Sequence, residues 1–515
     1  MNIKTEHIQI FLPIRQIRSV WLNSPAKLHA GTSKANNLRI RHLAALLLGL
    51  IISFCAAVTY AQQNLPSMGE PADNALSPVE EKLMGAQFMR QIRASLPLVR
   101  DVQITEYIQN LGNRLVLGTG RTDVDNFTFF VINDPQINAF AIPGGYVGVN
   151  SGLIAAMDHE EQLASVVAHE IAHVTQRHHA RAFATGNKAS LSTAAAVLAA
   201  IIIGQASPQA GQAALAAGLA ASRQSAINFT RGNEMEADRI GIEILANADY
   251  DPRAMAESFD ILRRKNSLNT SGLSLEYLRT HPLDNNRIAE ATDRASSKPA
   301  RERVNSLDFQ FFKARLAVLT STDPAQTMRQ YRSEFTRKAT PQSAYALAFK
   351  AQRENDGVAA ASYLEKLDAM VTTNPTVELL RAGIDSSARR KNIDSRLAAL
   401  SDLYPDRYSI VEKRLETLTQ MRQLQDALKV ARHYIRSNLA PNPLAWRQLA
   451  SIQQQLGDNA GSHESLARYF EALDELSRAQ SQIELALREV VEGSQDEIRL
   501  SANLKGLRDK AARLR

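Results

Sequence analysis

Leu163-Ala164-Ser165-Val166-Val167-Ala168-His169-Glu170-Ile171-Ala172-His173 reads as a helix with two histidines one turn apart. Leu163, Val166, Val167 and Ile171 form an apolar stripe, and neither Gly nor Pro interrupts the pattern between Asp158 and Ala184. Asp158 is the expected N-cap, with Glu161 three residues on. At i and i+4, His169 and His173 project from one face and can share a tetrahedral ion. Glu170 then reaches the open position of that ion and takes a proton from water held there. Zinc in such a site lowers the pKa of its water to about 7. The alternative is a solvated surface helix; the uncharged Ile171-Ala172 pair and the apolar run before it argue against that.

Three-ligand catalytic zinc needs one more donor, commonly His or Glu. Glu234-Met235-Glu236-Ala237-Asp238 lies downstream in an amphipathic helix, Asn233–Asn247, with Ile240, Ile244 and Leu245 inward. Glu234 and Asp238 share a face there, so one can bind metal while the other hydrogen-bonds a ligand imidazole. From spacing alone, Glu234 and Glu236 are near-equal candidates for the metal. His178 and His179 follow His173 off the ligand face and read as surface residues.

His169-Glu-x-x-His173 followed by Asn233-Glu234-x-Glu236-Ala237-Asp238 resembles the gluzincin peptidases related to the CAAX prenyl proteases and HtpX. Asn138-Ala-Phe-Ala-Ile-Pro-Gly-Gly145 before the helix fits that family, as do Arg279-Thr280-His281-Pro282 and Arg287 after it. The resemblance implies one zinc ion per chain on His169, His173 and Glu234, with Glu170 as catalytic base and Asp238 supporting a ligand histidine. His281 resembles a histidine that approaches the zinc as a regulatory fourth ligand, displacing the reactive water. The implied fold is mainly α with a small β-sheet: a gluzincin-type metallopeptidase domain, then an all-α solenoid.

The formal net charge is +7, which alone would suggest an anionic partner. Residues 1–61 carry seven Lys and Arg against one acid, Glu6, so the remainder is nearly neutral and makes no case for nucleic acid. Leu43–Val58 is an uncharged apolar run of 16 residues, short of the about 20 that span a bilayer. With Arg39 and Arg41 before it and Thr59-Tyr60-Ala61 after it, residues 1–61 read as a secretory signal peptide, an uncleaved anchor being the alternative. The single cysteine, Cys55, lies inside that run, so a mature chain would hold a metal only with His, Asp or Glu. That suits a periplasmic location.

Residues 62–77 read as a linker and 78–303 as the metallopeptidase domain. Ser77-Pro78-Val79-Glu80 is a helix start. Ile104, Ile108, Leu111 and Leu115 mark one face of a second helix. Asn126–Asn133 reads as a strand, and Asn138–Ile154 as a strand pair turning at Gly144-Gly145, with Pro143 favouring an edge. An edge strand beside the metal would bind substrate by β-augmentation. Ala194–Gly204 and the alanine-rich stretch to Ala221 are apolar, and peripheral membrane contact through 194–221 is one reading.

Residues 304–515 read as tetratricopeptide-like repeats. Trp446, Leu449 and Leu456-Gly457-Asp458, then Leu466, Tyr469 and Leu473, make one helix-turn-helix unit; Ala344–Phe349 with Val358–Leu367 make another. Stacked helical pairs offer a concave protein-binding surface. The expected function is a zinc-dependent endopeptidase of the bacterial periplasm with chaperone activity. By the resemblance it would act on misfolded or stalled outer-membrane proteins and meet their assembly machinery through the repeats. The alternatives are a chaperone or adaptor whose zinc site is self-inhibited, and a membrane-embedded HtpX-like protease.

Overall fold

A computed structural model describes residues 76–185, 223–268, 275–301, 305–387 and 392–513. The expected signal peptide, nearly all of the linker and Ala194–Ala221 lie outside the described residues. The described residues form one compact unit.

The unit begins with α1 (Pro78–Ser95), where Ser77 and Glu80 form the expected capping box. In α2 (Val102–Gly118), Ile104, Ile108, Leu111 and Leu115 are all buried, and Asp101 caps the start. The chain then builds β1 (Thr128–Ile132), β2 (Ala139–Ile142) and β3 (Tyr146–Asn150). Their order is β1-β3-β2, with β1 parallel and β2 antiparallel to β3. The β2–β3 turn is Pro143-Gly144-Gly145, where both glycines have φ above +80°. A Cβ on Gly145 would lie 2.3 Å from the Asn126 carbonyl oxygen, so only glycine fits. The second strand is shorter than expected: it ends at Asn150, and α3 (Ser151–Ala156) follows at once.

The long helix expected from Asp158 to Ala184 is two helices. α4 (Glu160–Thr175) is capped by His159 rather than Asp158, with Gln162 completing the box. Arg177 then takes φ +52°, and α5 (His178–Thr185) leaves in a new direction. α6 (Arg223–Asn247), α7 (Ala254–Ser267), α8 (Glu276–Thr280) and α9 (Asn285–Ser296) complete the region. α4 is buried nearly throughout, packed between α2, α6, α7 and the sheet. Leu163, Val167, Ile244 and Leu245 are among its shared core.

Among the described residues twelve helices follow, from α10 (Leu307–Thr320) and α11 (Pro324–Arg337) through α12 (Pro341–Arg353), α13 (Gly357–Asp368), α14 (Pro375–Ser387) and α15 (Ile393–Leu403). α16 (Tyr408–Gln420), α17 (Leu424–Ser437), α18 (Pro443–Gln455), α19 (Asn459–Ala472), α20 (Leu476–Arg488) and α21 (Gln495–Arg513) end the chain. Most pack on their sequence neighbours, the contact pattern of a solenoid, whereas α10 packs chiefly on α12 and on α2 and α3. α10 serves two cores: Phe309, Phe312 and Leu316 join that of α4, while Phe311 and Ala314 join that of α12 and α13. The array also returns to α1, where Arg93 Nη1 donates to the Leu473 carbonyl (2.9 Å) and Arg90 Nη1 to that of Asp474 (3.3 Å). Among the described residues, no helix is long and apolar enough to cross a membrane.

Candidate metal centre

α4 brings His169 Nε2 and His173 Nε2 to 3.0 Å from each other, as the one-turn spacing predicts. α6 lays Glu234 across both, at 3.3 Å from His169 Nε2 and 3.4 Å from His173 Nε2. From the end of α8, His281 adds Nδ1, 3.1 Å from Glu234 and 3.3 Å from His169 Nε2. These four buried residues place ligand atoms within 4.8 Å of one another. A tetrahedral ion with arms of about 2.0–2.1 Å has ligand-to-ligand edges of roughly 3.3 Å. The contacts between 3.0 and 3.4 Å are such edges, so the residues present fit a four-coordinate metal.

Spacing left Glu234 and Glu236 equal; the helix separates them. Glu236, about 200° further around α6, contacts His178 Nε2 (3.2 Å) and Arg181 (2.5 Å) instead. Asp238, one turn beyond Glu234, lies 2.9 Å from His169 Nδ1. Arg287 of α9 grips Asp238 at both carboxylate oxygens (2.7 and 2.8 Å), reaches Glu234 at 2.9 Å and donates to the Pro282 carbonyl. Arg287 is 2% exposed, so its charge depends on these partners. Glu170 is 1% exposed, and its Oε1 lies 3.5 Å from His281 Nε2.

The charges follow from burial and contact. Burial opposes a charge on His169, but Asp238 and Glu234 outweigh it and push the imidazole up to about 10. Burial would likewise neutralise Glu234; His281, His169 and His173 hold it well below the usual carboxylate range. Burial takes His173 well below 6.5. The centre is thus an anionic nest around partly cationic imidazoles, arranged so that a divalent ion replaces protons.

His281 is held by packing as well. Its backbone N–H donates to the Tyr277 carbonyl (2.8 Å), and the Tyr277 ring stacks on it with centroids 4.7 Å apart. A cavity of about 180 Å³ lies here, lined by Phe140 and Ala141 of β2 with Glu170, His173, Glu234 and His281. Asn150 N–H donates to the Asn138 carbonyl, so even-numbered β2 residues pair with β3. Ala139 and Ala141 therefore turn their backbone groups away from β3, where the Ala141 backbone meets the His179 imidazole. A hollow of about 900 Å³ connects His173 and His179 with Arg93, Glu471, Asp474 and Lys510, placing the helical array on its rim.

Sequence reasoning missed two contributors, Tyr277 and His178, and found a third, Arg287, only by resemblance. Tyr277 carries no local signal, because its role depends on how α8 packs. His178 was expected at the surface, yet it is buried, with Nδ1 2.8 Å from His173 Nδ1. His179 is partly buried, with a buried Nε2. The kink at Arg177 causes both differences, because wheel geometry past Gln176 no longer applies.

The family model described as Peptidase family M48 matches residues 103–295, which contain every residue of this centre. The beta-barrel assembly-enhancing protease of Escherichia coli K12 is 34% identical over 93% of this chain and 98% of its own length. The chain belongs to peptidase family M48. Its Yersinia pestis relative of the same name is 42% identical over 51% of this chain and 54% of that protein. Further off, the mitochondrial metalloendopeptidase OMA1 of Schizosaccharomyces pombe is 32% identical over 36% of this chain and 51% of its own. As an M48 member, the protein is a metalloendopeptidase. The gluzincin resemblance and the mainly α fold with a small sheet both hold.

Proposed function

We propose that this M48 enzyme is a zinc-dependent endopeptidase of the periplasm, acting on outer-membrane proteins during β-barrel assembly. The convergence of His169, His173, Glu234 and His281 on one tetrahedral position is the observation that carries the chemistry. An N/O donor set of this size, with no cysteine in residues 62–515, suits zinc. The biological setting rests on similarity along nearly the whole length of the Escherichia coli protein.

When bound, zinc supplies a Lewis acid that acidifies water and polarises a carbonyl. The residues of the chain do the rest. Glu170, beside the ligand set, accepts the proton of the attacking water and returns it to the leaving amine. Asp238 holds His169 by Nδ1, keeping Nε2 free for the metal, and Arg287 fixes Asp238. The edge of β2 away from β3 aligns substrate by backbone pairing, which tolerates many sequences. The helix pairs after residue 304, read as tetratricopeptide-like repeats, bind unfolded clients and the assembly machinery and give chaperone activity.

His281 supports a resting state closed to substrate. Its imidazole stands where a fourth ligand would bind and faces Glu170, so turnover would require it to move away. The same contact supports the second reading, a chaperone whose protease is self-inhibited. Zinc content and cleavage of an unfolded outer-membrane protein should be measured for wild type, Glu170→Gln and His281→Ala. Glu170→Gln should retain one zinc and lose about 10²–10⁴ in rate. His281→Ala should retain zinc and cleave faster. Persistent cleavage by Glu170→Gln would refute the mechanism.

A further inference from the structure

A ligand imidazole is useful to a metal only in one tautomer and one orientation, so the nitrogen facing away needs a partner. His169 has Asp238. Among the described residues, no carboxylate or backbone carbonyl plays that part for His173. Its Nδ1 instead lies 2.8 Å from Nδ1 of His178, with ring planes 79° apart. His178 Nε2 lies 3.2 Å from Glu236 Oε2, and the same oxygen takes a contact of 2.5 Å from Arg181.

We propose that His178 is a positioning residue for the metal site, one link in a chain His173–His178–Glu236–Arg181. The proposal rests on the reading of His173 as a ligand through Nε2. In that state Nδ1 of neutral His173 carries the proton and donates to the lone pair on His178 Nδ1. His178 then carries its own proton on Nε2 and donates to the Glu236 carboxylate. Each member admits one hydrogen-bonding arrangement, so the chain fixes the His173 tautomer from outside the metal site.

The backbone shows how this contact arises. On a continuous helix, His178 would sit about 140° around from His173. The positive φ at Arg177 turns the chain back and stands His178 against the His173 ring. Arg177 is itself fixed by its side chain, Nε to Glu81 (3.0 Å) and Nη2 to the Leu76 carbonyl (2.6 Å). The start of α1 thereby holds the kink that delivers His178.

The test uses the full chain and measures zinc affinity by competition with a chromophoric chelator. Cobalt(II) absorption spectra serve as a second readout. His178→Asn places an amide oxygen near the Nδ1 position and keeps the acceptor; His178→Leu has similar bulk without it. The Leu variant should lose about 10–100-fold in zinc affinity and shift the cobalt spectrum, and the Asn variant should stay near wild type. Glu236→Leu, on the partly exposed side of the chain, should lose about threefold or more, which keeps the test open if the Leu variant misfolds. Wild-type affinity in His178→Leu, equal losses for Leu and Asn, or no loss in Glu236→Leu would overturn the proposal. Failure of the underlying site is distinguishable: there, His173→Ala would bind zinc as well as wild type.

Discussion

Asp238→Asn removes one charge from a buried trio while leaving its volume unchanged. Asn keeps an oxygen for His169 Nδ1, 2.9 Å away, but its amide NH₂ faces Arg287, which contacts both Asp238 oxygens at 2.7 and 2.8 Å. Removing one partner of a buried ion pair costs about 3–5 kcal/mol. Arg287 still reaches Glu234 (2.9 Å) and the Pro282 carbonyl (2.7 Å), so the low end, about 3 kcal/mol, is expected in the metal-free protein. Loss of such a partner costs about 10–100-fold in metal affinity. Urea unfolding of metal-stripped protein gives the first quantity and chelator competition the second. Asp238→Ala, lacking the oxygen too, should be worse than Asn on both. A folded Asp238→Ala variant with wild-type zinc affinity would refute the assignment of Asp238 to the His169 imidazole.

Proton competition should govern metal uptake. In the metal-free protein His169 is raised to about 10 from its ordinary 6.5, so the stability linked to its proton is complete below pH 6.5 and lost as pH rises towards 10. Zinc affinity should therefore climb across that window, up to tenfold per pH unit, in calorimetric titrations corrected for buffer ionisation. Gly145→Ala places a methyl 2.3 Å from the Asn126 oxygen at φ +86°, whereas Gly120→Ala at φ +81° meets nothing within 4 Å. The first should destabilise by about 2–3 kcal/mol and the second by about 1, compared by thermal unfolding. Arg93→Ala deletes the bond to the Leu473 carbonyl; trypsin should then cut faster at Arg468 and Arg478, which flank that turn, with about 1.5–3 kcal/mol lost from that contact.

The centre was legible wherever it depended on one helix. His169 and His173 one turn apart fix their own geometry, as do Glu234 and Asp238. The buried face of α2 and the glycine turn at 144–145 were legible because period and φ are local properties. The join between elements was not. Nothing local pairs Asp238 with Arg287 or brings His281 onto Glu234, because those contacts depend on how α8 and α9 pack. Arg177 was illegible for a different reason: its left-handed backbone is imposed by tertiary contacts to Glu81 and Leu76, where sequence would announce a kink with Gly. The expected surface position of His178 failed with it.

The return of the helical array to Arg90 and Arg93 changes its mechanics. A solenoid rooted at one end unravels from the other, each repeat answering only to its neighbours. Here α10 is planted in the peptidase core, and the turn after α19 is clasped to α1. The helices between form a closed hoop, so loosening any pair inside it works against both attachments. α20 and α21 lie past the clasp, and α21 is tied back to α19 and its turn by Lys510, 3.8 Å from Glu471 and Asp474, and by Arg499 on Glu464. The array therefore has a section held at both ends and a tail held through α19, and amide exchange should change abruptly near Leu473 rather than fade along the repeats.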